Sequence, residues 1–167
     1  LRDAPRRILI DGRSGSGKTE LAKAILERRP EAQLVRLDDL YPGWDGLAQG
    51  SAAVPEIFRW AGWRRWDWEA HRPDVWISLD PTRPVIVEGV GAISRASRPL
   101  ADLAIWIELD TASRKVRALD RDGDRYAPHW DRWAAQEKAF IRRENPASLA
   151  DIVAQGPDRA IELLGLA

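Results

Sequence analysis

Gly12-Arg13-Ser14-Gly15-Ser16-Gly17-Lys18-Thr19 follows the apolar run Ile8-Leu9-Ile10 and opens an amphipathic stretch from Lys18 to Arg29. The octet fits GxxxxGK[ST] without a gap, and the pattern has a mechanical basis. Glycines let the backbone wrap so that successive N–H groups point inward and form a nest for an anion. A helix opening directly after the loop adds the positive end of its dipole. The lysine supplies a point charge for the β- and γ-phosphates, and the threonine hydroxyl can ligate Mg²⁺. The expected phosphate-binding residues are therefore Gly12, Ser14, Gly15, Ser16, Gly17, Lys18 and Thr19. A plain Gly/Ser turn would require neither the strand before it nor the lysine after it. The loop points to a nucleoside triphosphate with Mg²⁺; it does not name an acceptor.

Outward from the loop, short apolar runs alternate with longer amphipathic ones. Leu34-Val35-Arg36-Leu37, Val85-Ile86-Val87 and Ala104-Ile105-Trp106-Ile107 read as strands, and Ile152-Val153 as a shorter fifth. Helices are expected at 18–29, 54–62, 111–121, 131–144 and 158–164. Leu21, Ala22, Ile25 and Leu26 share one face of the first, which Pro30 stops. This alternation predicts an α/β fold, with a mainly parallel sheet of about five strands flanked by helices in three layers. Three runs end near a carboxylate, at Asp38, Glu88 and Asp110. Ligands of open parallel sheets bind at the carboxyl ends of the strands, so these acids stand where chemistry is expected.

Composition narrows the class. The 167 residues match one domain, 1–167, and 44% are hydrophobic, enough for a core. Lys+Arg and Asp+Glu both number 26, and that balance argues against a nucleic-acid partner. There is no Cys, which removes disulfide, thiolate and Cys-zinc chemistry. The two His residues, His71 and His129, are too far apart for an HExxH site. No stretch approaches the roughly 20 apolar residues of a membrane helix, and no signal-peptide pattern opens the chain, so a cytoplasmic protein without membrane contact is expected. Among phosphate-loop proteins, a GTPase would carry an [NT]KxD signature and an ABC ATPase an LSGGQ-like one; neither occurs here. An AAA+ module would need a second helical domain. The compact kinases remain.

Four stretches, with the loop, resemble the uridine kinase-like branch of P-loop kinases. They are Ile10 to Thr19, Asp38-Asp39-Leu40-Tyr41, Trp66-Asp67-Trp68-Glu69-Ala70-His71-Arg72 and Val85-Ile86-Val87-Glu88-Gly89-Val90. The second is similar to a D-[DS]-[FY]-Y segment, the third to Y-D-[FY]-x-x-H-x-R with Trp for the aromatics, and the fourth to a strand ending in E-G-[IV]. The resemblance implies an ATP-dependent kinase acting on a hydroxyl of a small molecule, foremost a nucleoside. Asp38 would orient the acceptor hydroxyl and take its proton, with Asp39 as the rival. Thr19, Glu88 and Asp38 would attend Mg²⁺, with Asp110 as rival to Glu88. Asp38, Tyr41, Trp66, Asp67 and His71 would line the acceptor pocket, and Asp45 of Gly43-Trp44-Asp45-Gly46 is a candidate for the family's sugar-binding role.

Arg114, Arg117 and Arg121 fall at i, i+3 and i+7 on one helix face, and Arg125 follows a turn-like Asp122-Gly123-Asp124. In the kinase group, arginines of a small lid, here about 112–130, cover the triphosphate. Arg117 and Arg121 are the expected catalytic pair beside Lys18 and Asp38, and a solvated basic helix face is the alternative. Of nine tryptophans, six lie between Trp44 and Trp76. They offer either a surface for a flat ligand or partner, or packing; Trp60 and Trp63 share a face only in a helix, Trp66 and Trp68 only in an extended strand. Two other readings stay open. One is a kinase for a nucleoside monophosphate, sugar or vitamin precursor, for which Arg59, Arg64, Arg65 and Arg72 could supply a phosphate pocket. The other is a nucleotide-binding regulatory or partner module with little turnover. The sequence leaves the oligomeric state open.

Overall fold

A computed structural model describes residues 4–167. Five short runs rich in Ile and Val form one parallel sheet: β1 (Arg7–Gly12), β2 (Gln33–Arg36), β5 (Val85–Glu88), β6 (Leu103–Glu108) and β7 (Ile152–Gln155). Their spatial order is β2-β5-β1-β6-β7. β1 therefore lies between β5 and β6, pairing Ile10 with Glu88 on one side and with Ile105 on the other. Strands covered on both faces need continuous apolar runs, and Ile8, Leu9 and Ile10 are all buried.

The two-residue alternation divides the core into two layers. Ile8, Ile10, Ile86 and Ile105 pack with Leu21, Ala22 and Ile25 of α1 (Lys18–Arg28) and Ala160 of α6 (Pro157–Leu163). Leu9, Val35, Val85 and Val87 pack with Val54 and Ile57 of α2 (Leu47–Trp60), Ala118 of α3 (Thr111–Asp122), and Trp133 and Phe140 of α4 (Trp130–Glu144). A single turn, α5 (Pro146–Leu149), precedes β7. Helix–sheet–helix layering with about five parallel strands is the expected architecture.

Two segments depart from expectation. The helix expected at 54–62 runs instead over Leu47–Trp60. Its first half, Leu47-Ala48-Gln49-Gly50, carries a glycine, and Pro55 lies inside the helix, so local preference marks the wrong start. Gly50 is tolerated because Tyr41 lies directly against it; a Cβ there would come within 2.4 Å of the ring. The second departure is an antiparallel hairpin, β3 (Gly62–Asp67) with β4 (Arg72–Ser78). An irregularity between Arg64 and Trp66 breaks its alternation, which hides it from a period-two reading. Trp60 and Trp63 therefore share no helix, since α2 ends at Trp60. Trp106, Trp130 and Trp133 are buried in the core. No helix among the described residues is long and apolar enough to cross a membrane.

Candidate active site

The loop between β1 and α1 is bent through glycine conformations. Gly15 and Gly17 have φ of 79° and 103°, a region that side chains disfavour. Space excludes side chains as well: a Cβ on Gly15 would lie 2.1 Å from the Arg114 carbonyl oxygen, and one on Gly17 would lie 2.5 Å from Pro157. Lys18 is nearly buried, and its Nζ donates to the Arg13 carbonyl at 3.1 Å. The Ser16 hydroxyl is buried without a partner.

Beside this loop opens a cleft of about 960 Å³ at the carboxyl ends of β1, β2 and β5. Ser14, Gly15, Gly17, Lys18 and Thr19 form its floor on one side. Glu88, at the end of β5, accepts from the Thr19 hydroxyl at 3.2 Å and from Arg36 Nε at 3.3 Å. Burial pushes the Glu88 carboxyl up, against the pull of Lys18. Asp38 and Asp39 sit on the 3-10 turn Leu37–Asp39 that ends β2, and both line the cleft. Asp38 is open to solvent, 3.7 Å from Arg36. Asp39 is half-buried, and desolvation raises its carboxyl pKa. Arg117 and Arg121 line the facing side; Arg117 bonds Glu20 of α1 at 2.7 Å, and Arg121 bonds Asp122 at 2.8 Å.

The far wall is aromatic: Tyr41, Trp44, Trp68, Tyr126, His129 and Trp133. Trp44 is its hub. It stacks on His129 with centroids 4.4 Å apart and 10° between planes, and it meets Trp68, Tyr126 and Trp133 at 5.2, 5.3 and 6.3 Å. Tyr41 is buried, meets Trp133 edge-on at 4.7 Å, and spends its hydroxyl on the Val90 carbonyl at 2.6 Å. Trp68 Nε1 donates to the Asp38 carbonyl at 2.8 Å, which ties the hairpin to the acidic turn.

No protein-family model matches the sequence, and no curated protein does. Solved structures do match in fold. A possible uridine kinase from Bacillus stearothermophilus superposes with a TM-score of 0.59 at 19% identity, over 92% of this chain and 90% of that one. Shikimate kinase from Bacteroides thetaiotaomicron gives 0.56 at 14%, over 97% and 99%. Shikimate kinase from Acinetobacter baumannii, in complex with shikimate, gives 0.55 at 15%, over 98% and 93%. The fold is that of the P-loop kinases.

Within this P-loop kinase fold, the phosphate loop, Asp38, Tyr41, Glu88, Arg117 and Arg121 all meet at one cleft. Trp66, Asp67 and His71, expected in the acceptor pocket, do not line it. The irregularity in β3 turns Trp66 toward a smaller hollow behind the hairpin, shared with Trp60, Trp63 and Trp76. The Asp67 carboxylate holds the hairpin turn by accepting from the Glu69 and Ala70 amides at 3.0 and 2.8 Å. His71 is exposed at φ 56°, with its ring against Gly43. Asp110, the rival to Glu88, does not line the cleft: it caps α3, accepting from the Ser113 amide at 2.8 Å and the Ser113 hydroxyl at 2.7 Å, and those hydrogen bonds hold its carboxyl below the ordinary 3.8. Asp45 pairs with Arg132 at the surface. Arg114, the first of the arginine trio, is buried under the loop. Arg59, Arg64, Arg65 and Arg72 lie outside the cleft; Arg36, Arg125 and Lys23 are the cations inside it besides Lys18 and the α3 pair.

Among the aromatics of the cleft, Trp44 belongs to the tryptophan group with a flat-ligand reading, whereas Tyr126, His129 and Trp133 carry no such expectation from sequence. Tyr126 lies between the two 3-10 turns that precede α4, His129 ends the second of them, and Trp133 is in the first turn of α4. The clustering of aromatics between 126 and 133 was the available signal.

Proposed function

We propose that the protein is an ATP-dependent phosphotransferase acting on a hydroxyl of a small, flat-ringed acceptor, foremost a nucleoside. The observation that carries this is the shared cleft: a phosphate loop at one end, an aromatic wall at the other, and the Asp38-Asp39 turn between them. Flat rings stack on such a wall through dispersion and quadrupole terms. The fold's likeness to kinases of small molecules supports the class, not the substrate.

In this reading, the loop amides, the unpartnered Ser16 hydroxyl and Lys18 take the phosphates. Thr19 and Glu88 present two hard oxygen ligands side by side, which suits Mg²⁺. Among the described residues no cluster of three His, Cys, Asp or Glu is suited to a metal. Mg²⁺ fits that sparse set, because it draws its remaining ligands from phosphates and water. Bound there, it would neutralise charge on the β- and γ-phosphates. The acceptor oxygen bonds to the γ-phosphorus as the bond to the β–γ bridging oxygen breaks, and ADP leaves. The hydroxyl proton passes to Asp38. Arg117 and Arg121 release their surface carboxylates to cover the transferring group; positioning and charge account for most of such catalysis.

The test is ATP consumption with Mg²⁺ against nucleosides, nucleoside monophosphates, sugars and vitamin precursors, with products read by mass. One acceptor gaining a phosphoryl group, and an Asp38→Asn variant that loses turnover by about 10²-fold or more while keeping ATP affinity, support the reading. ATP binding that no acceptor converts to product, and that Asp38→Asn leaves untouched, favours a nucleotide-binding partner module instead.

A further inference from the structure

Glu137 is a carboxylate of α4 with 1% exposure, more than a hundred residues along the chain from the phosphate loop. A buried carboxylate persists only where donors replace its water. Here both donors come from the loop: the Ser14 amide at 2.6 Å and Arg13 Nε at 3.1 Å.

These contacts fix a peptide plane. The Arg13–Ser14 unit is trans, so its C=O and N–H point to opposite sides. Glu137 holds the N–H. The C=O then faces the loop interior, where it accepts from Lys18 Nζ and from the Ser16 amide, both at 3.1 Å. The next unit is held from the other flank: Arg114 Nη1 donates to the Ser14 carbonyl at 3.3 Å. Its opposite end, the Gly15 N–H, has no hydrogen-bond acceptor among the described residues. Arg114 is itself braced by the Leu109 carbonyl and the Thr111 hydroxyl.

We propose that Glu137 is a positioning residue of the phosphate loop, orienting the Arg13–Ser14 peptide so that Lys18 is parked and the following amides face the cleft before nucleotide arrives. Pre-organised donors cost no rearrangement on binding, so their loss weakens nucleotide affinity directly. Trp133 lies one turn earlier on the same face of α4 and lines the cleft, so one helix carries both the loop's anchor and part of the aromatic wall. This role rests on the nucleotide-binding reading above.

The experiment titrates Mg²⁺ and a non-hydrolysable ATP analogue into the full chain by calorimetry. Wild type, Glu137→Gln and Glu137→Ala are compared, with the Ser14 amide followed by ¹H–¹⁵N spectra and the thermal midpoint recorded. Glu137→Ala is expected to raise the analogue Kd by about tenfold to a hundredfold, the scale of a lost charge-assisted hydrogen bond. Its Ser14 amide proton moves upfield and exchanges faster. Glu137→Gln keeps one oxygen for Ser14 but turns an NH₂ toward Arg13, so a smaller rise is expected. A role in packing alone would lower the thermal midpoint and leave the Kd of the folded protein unchanged. An unchanged Kd in folded Glu137→Ala overturns the proposal; if that variant does not fold, an unchanged Kd and Ser14 resonance in Glu137→Gln do so. Wild type that binds no analogue overturns the nucleotide reading itself, a distinct failure.

Discussion

Gly15 meets two demands at once, a left-handed φ of 79° and an approach of 2.1 Å between its absent Cβ and the Arg114 carbonyl. Backbone cannot give way as a flexible side chain can. Gly15→Ala is therefore expected to fold with a displaced loop and to lose nucleotide affinity by at least about tenfold, read by calorimetry with Mg²⁺ and an ATP analogue. The aromatic wall offers a paired test once an acceptor is known. Trp44→Ala removes the hub of the wall and should raise the acceptor KM by about tenfold, the worth of one lost stacking partner. Trp66→Ala, in the hollow behind the hairpin, should leave that KM within about twofold. Equal effects of the two would place the acceptor elsewhere. At this scale the loop residues were legible, because their chemistry is written in adjacent positions. Glu137 was not: a glutamate in an amphipathic helix looks like any solvated one until the fold buries it.

Among the elements, α3 shows how one residue type serves two readings. Asp110 follows a strand, as a metal-binding acid would, yet its carboxylate accepts from both the amide and the hydroxyl of Ser113. Asp110→Ala is expected to lower the urea midpoint at pH 7 while leaving the nucleotide Kd unchanged. Because the cap holds the Asp110 pKa below 3.8, its contribution is full above that pH and fades as pH falls further. The stability difference between wild type and variant should therefore close in acid. Long periodic helices such as α1 and α4 were read almost to the residue. The β3–β4 hairpin was not, since its irregularity breaks the alternation and Arg64 and Arg65 are both exposed. That hairpin is also why Trp68 reaches the acidic turn while Trp66 faces away.

Across the whole molecule, Asp11 joins the central strand to the segment after β5. Its buried carboxylate accepts from the amides of Gly12, Gly91 and Ile93 at 2.7, 3.2 and 2.9 Å. Desolvation outweighs those bonds and the nearby Lys18, and lifts its pKa from 3.8 to about 7. The unfolded chain has released this proton above pH 3.8, whereas the folded chain keeps it up to about pH 7. Rising pH across that window therefore favours unfolding. Urea unfolding of the wild type should show stability falling from about pH 5 to pH 8, and Asp11→Asn should flatten that slope. A stability difference between wild type and Asp11→Asn that does not change with pH over that range would show Asp11 ionised throughout. The strand–loop–helix unit, the parallel α/β layering and the acids at the strand ends follow from local periodicity and from residues adjacent in the chain, so they are already written in the primary structure. Long-range packing settles which aromatics face the cleft, makes Asp110 a cap and Asp67 a turn residue, and sets Glu137 and Arg114 against the loop. Those outcomes depend on burial and on contacts between residues up to 124 positions apart, which no local pattern encodes.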